Sequence, residues 1–133
     1  MTPRYGIDTS ILVRLLTGDP ATDYQKTVTA LERIIADAPS AEILASNQVI
    51  GEAYIAVQHH YGVSKADARS ALLDVFSSGL VAPANGATVL KALHATSGCG
   101  LLDRLIADDY QHHSLITLTN DRKMAALPEA RKL

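Results

Sequence analysis

Arg4-Tyr5-Gly6-Ile7-Asp8-Thr9-Ser10 decides how the chain is read. A short run able to enter a sheet core ends abruptly in Asp-Thr-Ser, and Ile11-Leu12-Val13-Arg14-Leu15-Leu16 follows with a helical apolar stripe. That order predicts a first strand, an acid at its C-terminal tip and a helix starting beside it. In open α/β sheets ligands bind in the crevice outside the carboxyl ends of the strands, which makes Asp8 a candidate site residue. Asp, Thr and Ser are also the ordinary residues for capping free helix N–H groups, so capping alone would explain this stretch. Acids in matching places elsewhere have to decide between the two.

The chain of 133 residues suits a single domain spanning 1–133. Its 47% hydrophobic and 20% charged content is a globular balance, and with few aromatics and no Trp the core must be aliphatic. The start Met1-Thr2-Pro3-Arg4 lacks the features of a signal peptide, and no apolar run approaches the length of a membrane span. One cysteine, Cys99, excludes an internal disulfide and fits a reducing cytoplasm. A net charge of −2 argues against nucleic-acid binding by charge alone, but not against binding assisted by metal ions.

Working outward, Gly18-Asp19-Pro20 closes the first helix, and Tyr24, Val28, Leu31 and Ile35 stripe a second that ends at Ala38-Pro39-Ser40. Ile43-Leu44-Ala45 is a short buried strand, and Ser46-Asn47 caps a helix from about Gln48 to His60 that stops at Tyr61-Gly62. Ser64 to Asp67 opens a fourth helix, with Ala68, Leu72, Val75 and Phe76 inward. Gly79 to Pro83 is a brief strand and Asn85-Gly86 a turn; two helices follow, separated by Gly98-Cys99-Gly100. Leu115 to Thr119 is the clearest strand, apolar enough to lie centrally in a parallel sheet, and Arg122 to Leu127 is a last short helix. The tail from Leu127 shows no closing strand. Strands alternating with helices imply an α/β domain with a parallel sheet.

Two strands thus end in acids, Asp8 and Asp121, and two helices that enter the same edge carry Glu52 and Asp103 in their first turns. Each of the latter is flanked by apolar residues rather than by a charge run. Carboxylates crowded together repel and raise one another's pKa values, and divalent cations relieve that conflict. Oxygen-only ligands select Mg²⁺ or Mn²⁺ over zinc. Such a site activates water and stabilises the oxygens of an in-line phosphoryl displacement.

These pieces resemble a known family. Gly6 to Ser10, Val49-Ile50-Gly51-Glu52-Ala53, Leu101 to Ala107 and Leu115 to Lys123 look like the motifs of a PIN-domain ribonuclease, most closely a VapC-type toxin of a toxin–antitoxin pair. The resemblance implies a PIN-like three-layer α/β/α sandwich with a short, mostly parallel central sheet. It implies that Asp8, Glu52, Asp103 and Asp121 hold one or two Mg²⁺ or Mn²⁺ ions for hydrolysis of RNA phosphodiesters. Thr9, Ser10 and Thr119 would orient those acids or nearby waters. It further implies 5′-phosphate and 3′-hydroxyl products, a homodimer and a cognate antitoxin protein as partner. Ser10 stands where the family usually has Asn, and Gly100 where many relatives carry another acid.

Arg14, Arg104, Arg122 and Lys123 lie near the same edge by sequence and are candidate phosphate contacts. Arg14 and Arg104 would equally pair with the neighbouring acids in the absence of metal. His59-His60 and His112-His113 do not make zinc pairs, because adjacent helical residues point about 100° apart; they sit at helix C-termini, where the dipole favours them. Cys99 reads as a small buried hydrophobe and Asp108 as solvent-facing. Beside the endoribonuclease stands the alternative of a catalytically silent PIN-like scaffold that binds RNA or protein, kept open by Gly100. An aspartyl phosphatase would need an acid where Ser10 stands, and a receiver would need an acid ending a middle strand.

Overall fold

A computed structural model describes residues 2–133. The chain packs as two compact units, Met1–Ala84 and Asn85–Leu133.

The first unit is built on a parallel three-stranded sheet ordered β1-β2-β3, with β1 at Arg4–Gly6, β2 at Glu42–Ala45 and β3 at Ala82–Pro83. Tyr5 lies opposite Ile43 and Gly6 opposite Leu44, while Leu44 faces Ala82 on the other side. Four helices cover it: α1 (Thr9–Thr17), α2 (Ala21–Asp37), α3 (Asn47–Tyr61) and α4 (Lys65–Ser77). Their ends follow from the local sequence. Gly18 and Gly62 close α1 and α3 in the left-handed conformation, where only a residue without Cβ is unstrained. Ser46 and Ser64 accept the Val49 and Asp67 amides and start α3 and α4. Helix α1 packs on α3 and α2, and α3 on α4. The core is aliphatic, with Leu12, Ile50 and Leu72 fully buried. Burying one such side chain is worth roughly 1.5–3 kcal/mol.

The second unit opens with α5 (Ala87–His94) packed on α6 (Leu101–His112), burying Val89, Leu93, Leu101 and Leu105. It continues through β4 (Thr117–Thr119), the single turn α7 (Arg122–Ala125) and β5 (Ala130–Lys132). Two expectations change here. The tail does form a strand: β5 lies parallel to β4 with Thr117 opposite Ala130, flanked by the Thr117 amide on the Glu129 carbonyl and the Leu133 amide on the Thr119 carbonyl. Arg131 and Lys132 have no strand propensity to announce it; the neighbouring ladder, not the local sequence, holds them extended. The run Leu115–Thr119 is not the centre of a wide sheet. Only Thr117–Thr119 are paired, in a two-stranded sheet, and Leu115, Ile116 and Leu118 are 51%, 53% and 56% exposed. Ser114 at φ 59° and the Leu115 amide on the Tyr110 carbonyl keep the first part of the run in the turn that leaves α6.

No helix among the described residues is long and apolar enough to cross a membrane.

Candidate metal centre

In the first unit, Ile7 is the last residue held by the sheet: it is buried, and its amide donates to the Leu44 carbonyl at 3.0 Å. Asp8 follows in extended conformation and caps α1. Its Oδ1 accepts the Ile11 amide at 3.1 Å and the Ser10 hydroxyl at 2.7 Å. The Ser10 hydroxyl, then the Ile11 amide, hold its carboxyl below the usual aspartate value, against a smaller opposing effect of desolvation. Capping and candidacy as a ligand are therefore not rivals at this residue, since a carboxylate has two oxygens and the cap engages Oδ1.

Glu52 sits exposed in the second turn of α3, whose start is fixed by Ser46. The Thr9 hydroxyl donates to its Oε1 at 2.5 Å. Glu52, 44 positions beyond Asp8 in sequence, is thus tied to it through the adjacent Thr9 at the tip of β1. Beside them is an open hollow of about 580 Å³ lined by Arg4, Tyr5, Gly6, Ile7, Asp8, Leu44, Ser46 and Ala84. It lies at the carboxyl ends of β1 and β2, the position at which open α/β sheets bind ligands. Arg4 in its wall pairs with Glu42 at 3.3 Å, an exposed contact of small energetic weight. Nothing in the sequence singles Arg4 out, since a basic residue inside a strand carries no signal of its own.

The second unit holds the other two acids. Asp103 is half-buried in the first turn of α6. Asp121 is exposed and caps α7, its Oδ1 accepting the Met124 amide at 2.9 Å, while its own amide donates to the Thr119 hydroxyl at 3.0 Å. Both carboxylates act on the thiol of Cys99. Burial pushes that thiol upward first of all; the Arg104 guanidinium opposes, and Asp103 and Asp121 push it further up. Cys99 itself is a core residue packed with Ala107, Met124 and Leu127, as a free thiol in an apolar setting should be.

The candidate basic residues separate. Arg122 and Lys123 are exposed on α7 directly after Asp121. Arg14 is half-buried, and its Nε is enclosed with no hydrogen-bond partner. Arg104 turns to the backbone, donating from Nε to the Cys99 carbonyl and from Nη2 to the Ser97 carbonyl. Ion pairs of the described residues include Arg4–Glu42 and His112–Asp108.

Asp108 is a correction. It is 8% exposed rather than solvent-facing, its Oδ2 accepts the Asn85 amide group at 2.9 Å, and His112 stands 3.6 Å from its Oδ1. Asn85 reaches Asp109 as well, at 2.7 Å. Nothing near Asp108 in sequence announces its burial, because the Asn85 donor lies in a turn more than 20 residues upstream.

The donor set suits a hard divalent cation. The candidate ligands are carboxylates supported by hydroxyls, with no imidazole or thiolate offered, which is the chemistry of Mg²⁺ and Mn²⁺. Two of the four candidate acids lie in each unit. No group of three or more His, Cys, Asp or Glu side chains able to hold a metal ion is formed among the described residues.

No curated protein and no solved structure matches the chain. The family model of the PIN domain matches residues 5–130, across both units and all four acids. The α/β class with short parallel strands, read from the alternation of elements, is the class of that family. On a match of that extent, the chain belongs to the PIN-domain family.

Proposed function

We propose that this chain is a Mg²⁺- or Mn²⁺-dependent endoribonuclease, the toxin of a type II toxin–antitoxin pair, working through Asp8, Glu52, Asp103 and Asp121. PIN domains are generally nucleases that use divalent ions and bind RNA. The observation that carries the reading for this chain is the joined pair at the tip of β1: Asp8 held in its ionised form by Ser10 and Ile11, and Glu52 held by Thr9.

When bound, the ion supplies positive charge to the phosphate oxygens and lowers the pKa of a water molecule beside it. The protein's part is preparation. In this reading the four carboxylates would hold the ion; Ser10 and Thr9 fix the orientation of Asp8 and Glu52, and Thr119 fixes the backbone of Asp121. Arg14, Arg122 and Lys123 are the proposed phosphate contacts, and the products are a 5′-phosphate and a 3′-hydroxyl. A homodimer, a cognate antitoxin and a cytoplasmic setting complete the proposal. Gly100, standing where many relatives carry an acid, favours a second reading, a silent scaffold that binds RNA or protein.

Titrating Mn²⁺ into the purified protein by calorimetry, with Asp8→Asn and Asp103→Asn in parallel, tests the choice without knowledge of the RNA target. Binding by the parent that both variants lose supports the enzyme. Saturable binding that survives both changes refutes the four-acid assignment, and absence of binding at millimolar metal, with or without RNA, favours the scaffold.

A further inference from the structure

The segment Ser97-Gly98-Cys99-Gly100 leads into α6 with little to define it locally. Two of its four residues are glycines, and Gly100 at the N-cap position offers no side chain to the free helix amides. Such a segment has high conformational entropy in isolation, and something must hold it. Two anchors are present: the buried side chain of Cys99, and Arg104. The Arg104 fork spans the segment, with Nε on the Cys99 carbonyl at 3.1 Å and Nη2 on the Ser97 carbonyl at 2.5 Å. Gly98 between them adopts φ 82°, and a Cβ there would stand 3.1 Å from Nη2. The glycine and the guanidinium are therefore matched: the first makes the turn and leaves the space, the second fills it. Asp103 is the residue immediately before Arg104, in the same first turn.

We propose that Arg104 is a positioning residue for Asp103, fixing the start of α6 by bridging the Ser97 and Cys99 carbonyls. The inference rests on the ribonuclease reading above and replaces, for this residue, the role of phosphate contact. A planar fork bonded to two carbonyls in fixed geometry is a task for arginine that a lysine ammonium performs only in part. A side chain that holds a ligand-bearing turn acts on ion affinity before any RNA is present. A phosphate contact acts only on RNA.

The test uses the full chain and two readouts, Mn²⁺ affinity by calorimetry and the labelling rate of Cys99 by a thiol reagent. The variants are Arg104→Ala, Arg104→Lys and, as a comparison of plain destabilisation, Val89→Ala in the core of α5. Arg104→Ala is expected to weaken Mn²⁺ binding by about 10-fold or more, the usual scale for losing a residue that orients a ligand. Arg104→Lys falls between it and the parent, and Val89→Ala stays within about twofold of the parent on the same scale. Labelling of Cys99 should speed up in Arg104→Ala as the segment opens. Loss of the cation alone would slow it, because the guanidinium favours the thiolate. Unchanged or slower labelling overturns the clamp. Parental Mn²⁺ affinity in Arg104→Ala, or equal weakening in Val89→Ala, overturns positioning while leaving the ribonuclease reading in place. A parent that binds no Mn²⁺ removes that reading and this role together, and should Arg104→Ala fail to fold, Arg104→Lys decides by the same two readouts.

Discussion

Thr9 donates its hydroxyl to Oε1 of Glu52 at 2.5 Å across 43 positions of sequence. The bond ties the first turn of α1 to the second turn of α3, so it bears on both the packing of the two helices and the aim of the carboxylate. Thr9→Val keeps the shape and removes the donor. It should weaken Mn²⁺ binding by about 10-fold, as loss of a ligand-orienting partner usually does. The net stability cost should be only about 0.5–1.5 kcal/mol, the ordinary worth of one hydrogen bond. Thr9→Ser should behave as the parent in calorimetry and in denaturant unfolding.

The Asp8 carboxyl is held below its ordinary value of 3.8, chiefly by the Ser10 hydroxyl. Because the folded chain prefers the ionised form, the associated stabilisation is complete above that value and is lost as pH falls through the lowered one. In metal-free protein, NMR titration of Asp8 should give a midpoint below 3.8, and Ser10→Ala should move it back upward. Identical midpoints in parent and variant would assign the depression to the backbone amides of Ile11 and Ser10.

Cys99 is buried and its thiol is pushed upward. At pH 8 the native protein should react with a disulfide reagent slower than the urea-unfolded chain by a factor on the order of 10 or more, since only the thiolate attacks. Met124→Ala, which opens a cavity beside it, should raise the native rate and cost about 2–4 kcal/mol of stability.

Asn85 shares its amide group between Asp108 and Asp109. Asn85→Asp keeps the size and adds a third carboxylate to two. Its new carboxyl should titrate above the usual range in the folded state, so the variant is destabilised at neutral pH and recovers as pH falls toward 4. Thermal melts between pH 4 and 7 should show the gap to the parent closing on acidification. Asn85→Ala should show a smaller loss, about 1–3 kcal/mol, without that recovery.

Most elements were legible because their ends are chemically marked. Asp8, Ser46 and Ser64 cap as their types require, and Gly18 and Gly62 stop helices where a left-handed turn is needed. The strands were legible only where apolar residues announced them. β5 carries no such signal, because Arg131 and Lys132 are extended by their partner strand, and Leu115–Ile116 are apolar without being buried. At the site, residue types and strand–helix context were enough to nominate four acids. They were silent on what each acid touches, which is set by contacts across tens of residues. The Thr9–Glu52 bond, the Asn85 bridge over Asp108 and the turning of Arg104 to its own backbone are all of that kind.

Asp8 and Asp121 each spend one carboxylate oxygen on a helix amide, Ile11 in one case and Met124 in the other. An ion on the second oxygen would hold each carboxylate in its capping pose, and by linkage whatever binds the capped state also suppresses fraying. Metal occupancy and helix-end order then become a single equilibrium. Chelation would act as a local denaturant of two helix starts, and the slowing of amide exchange at Ile11 and Met124 on adding Mn²⁺ would report ion binding from the backbone itself.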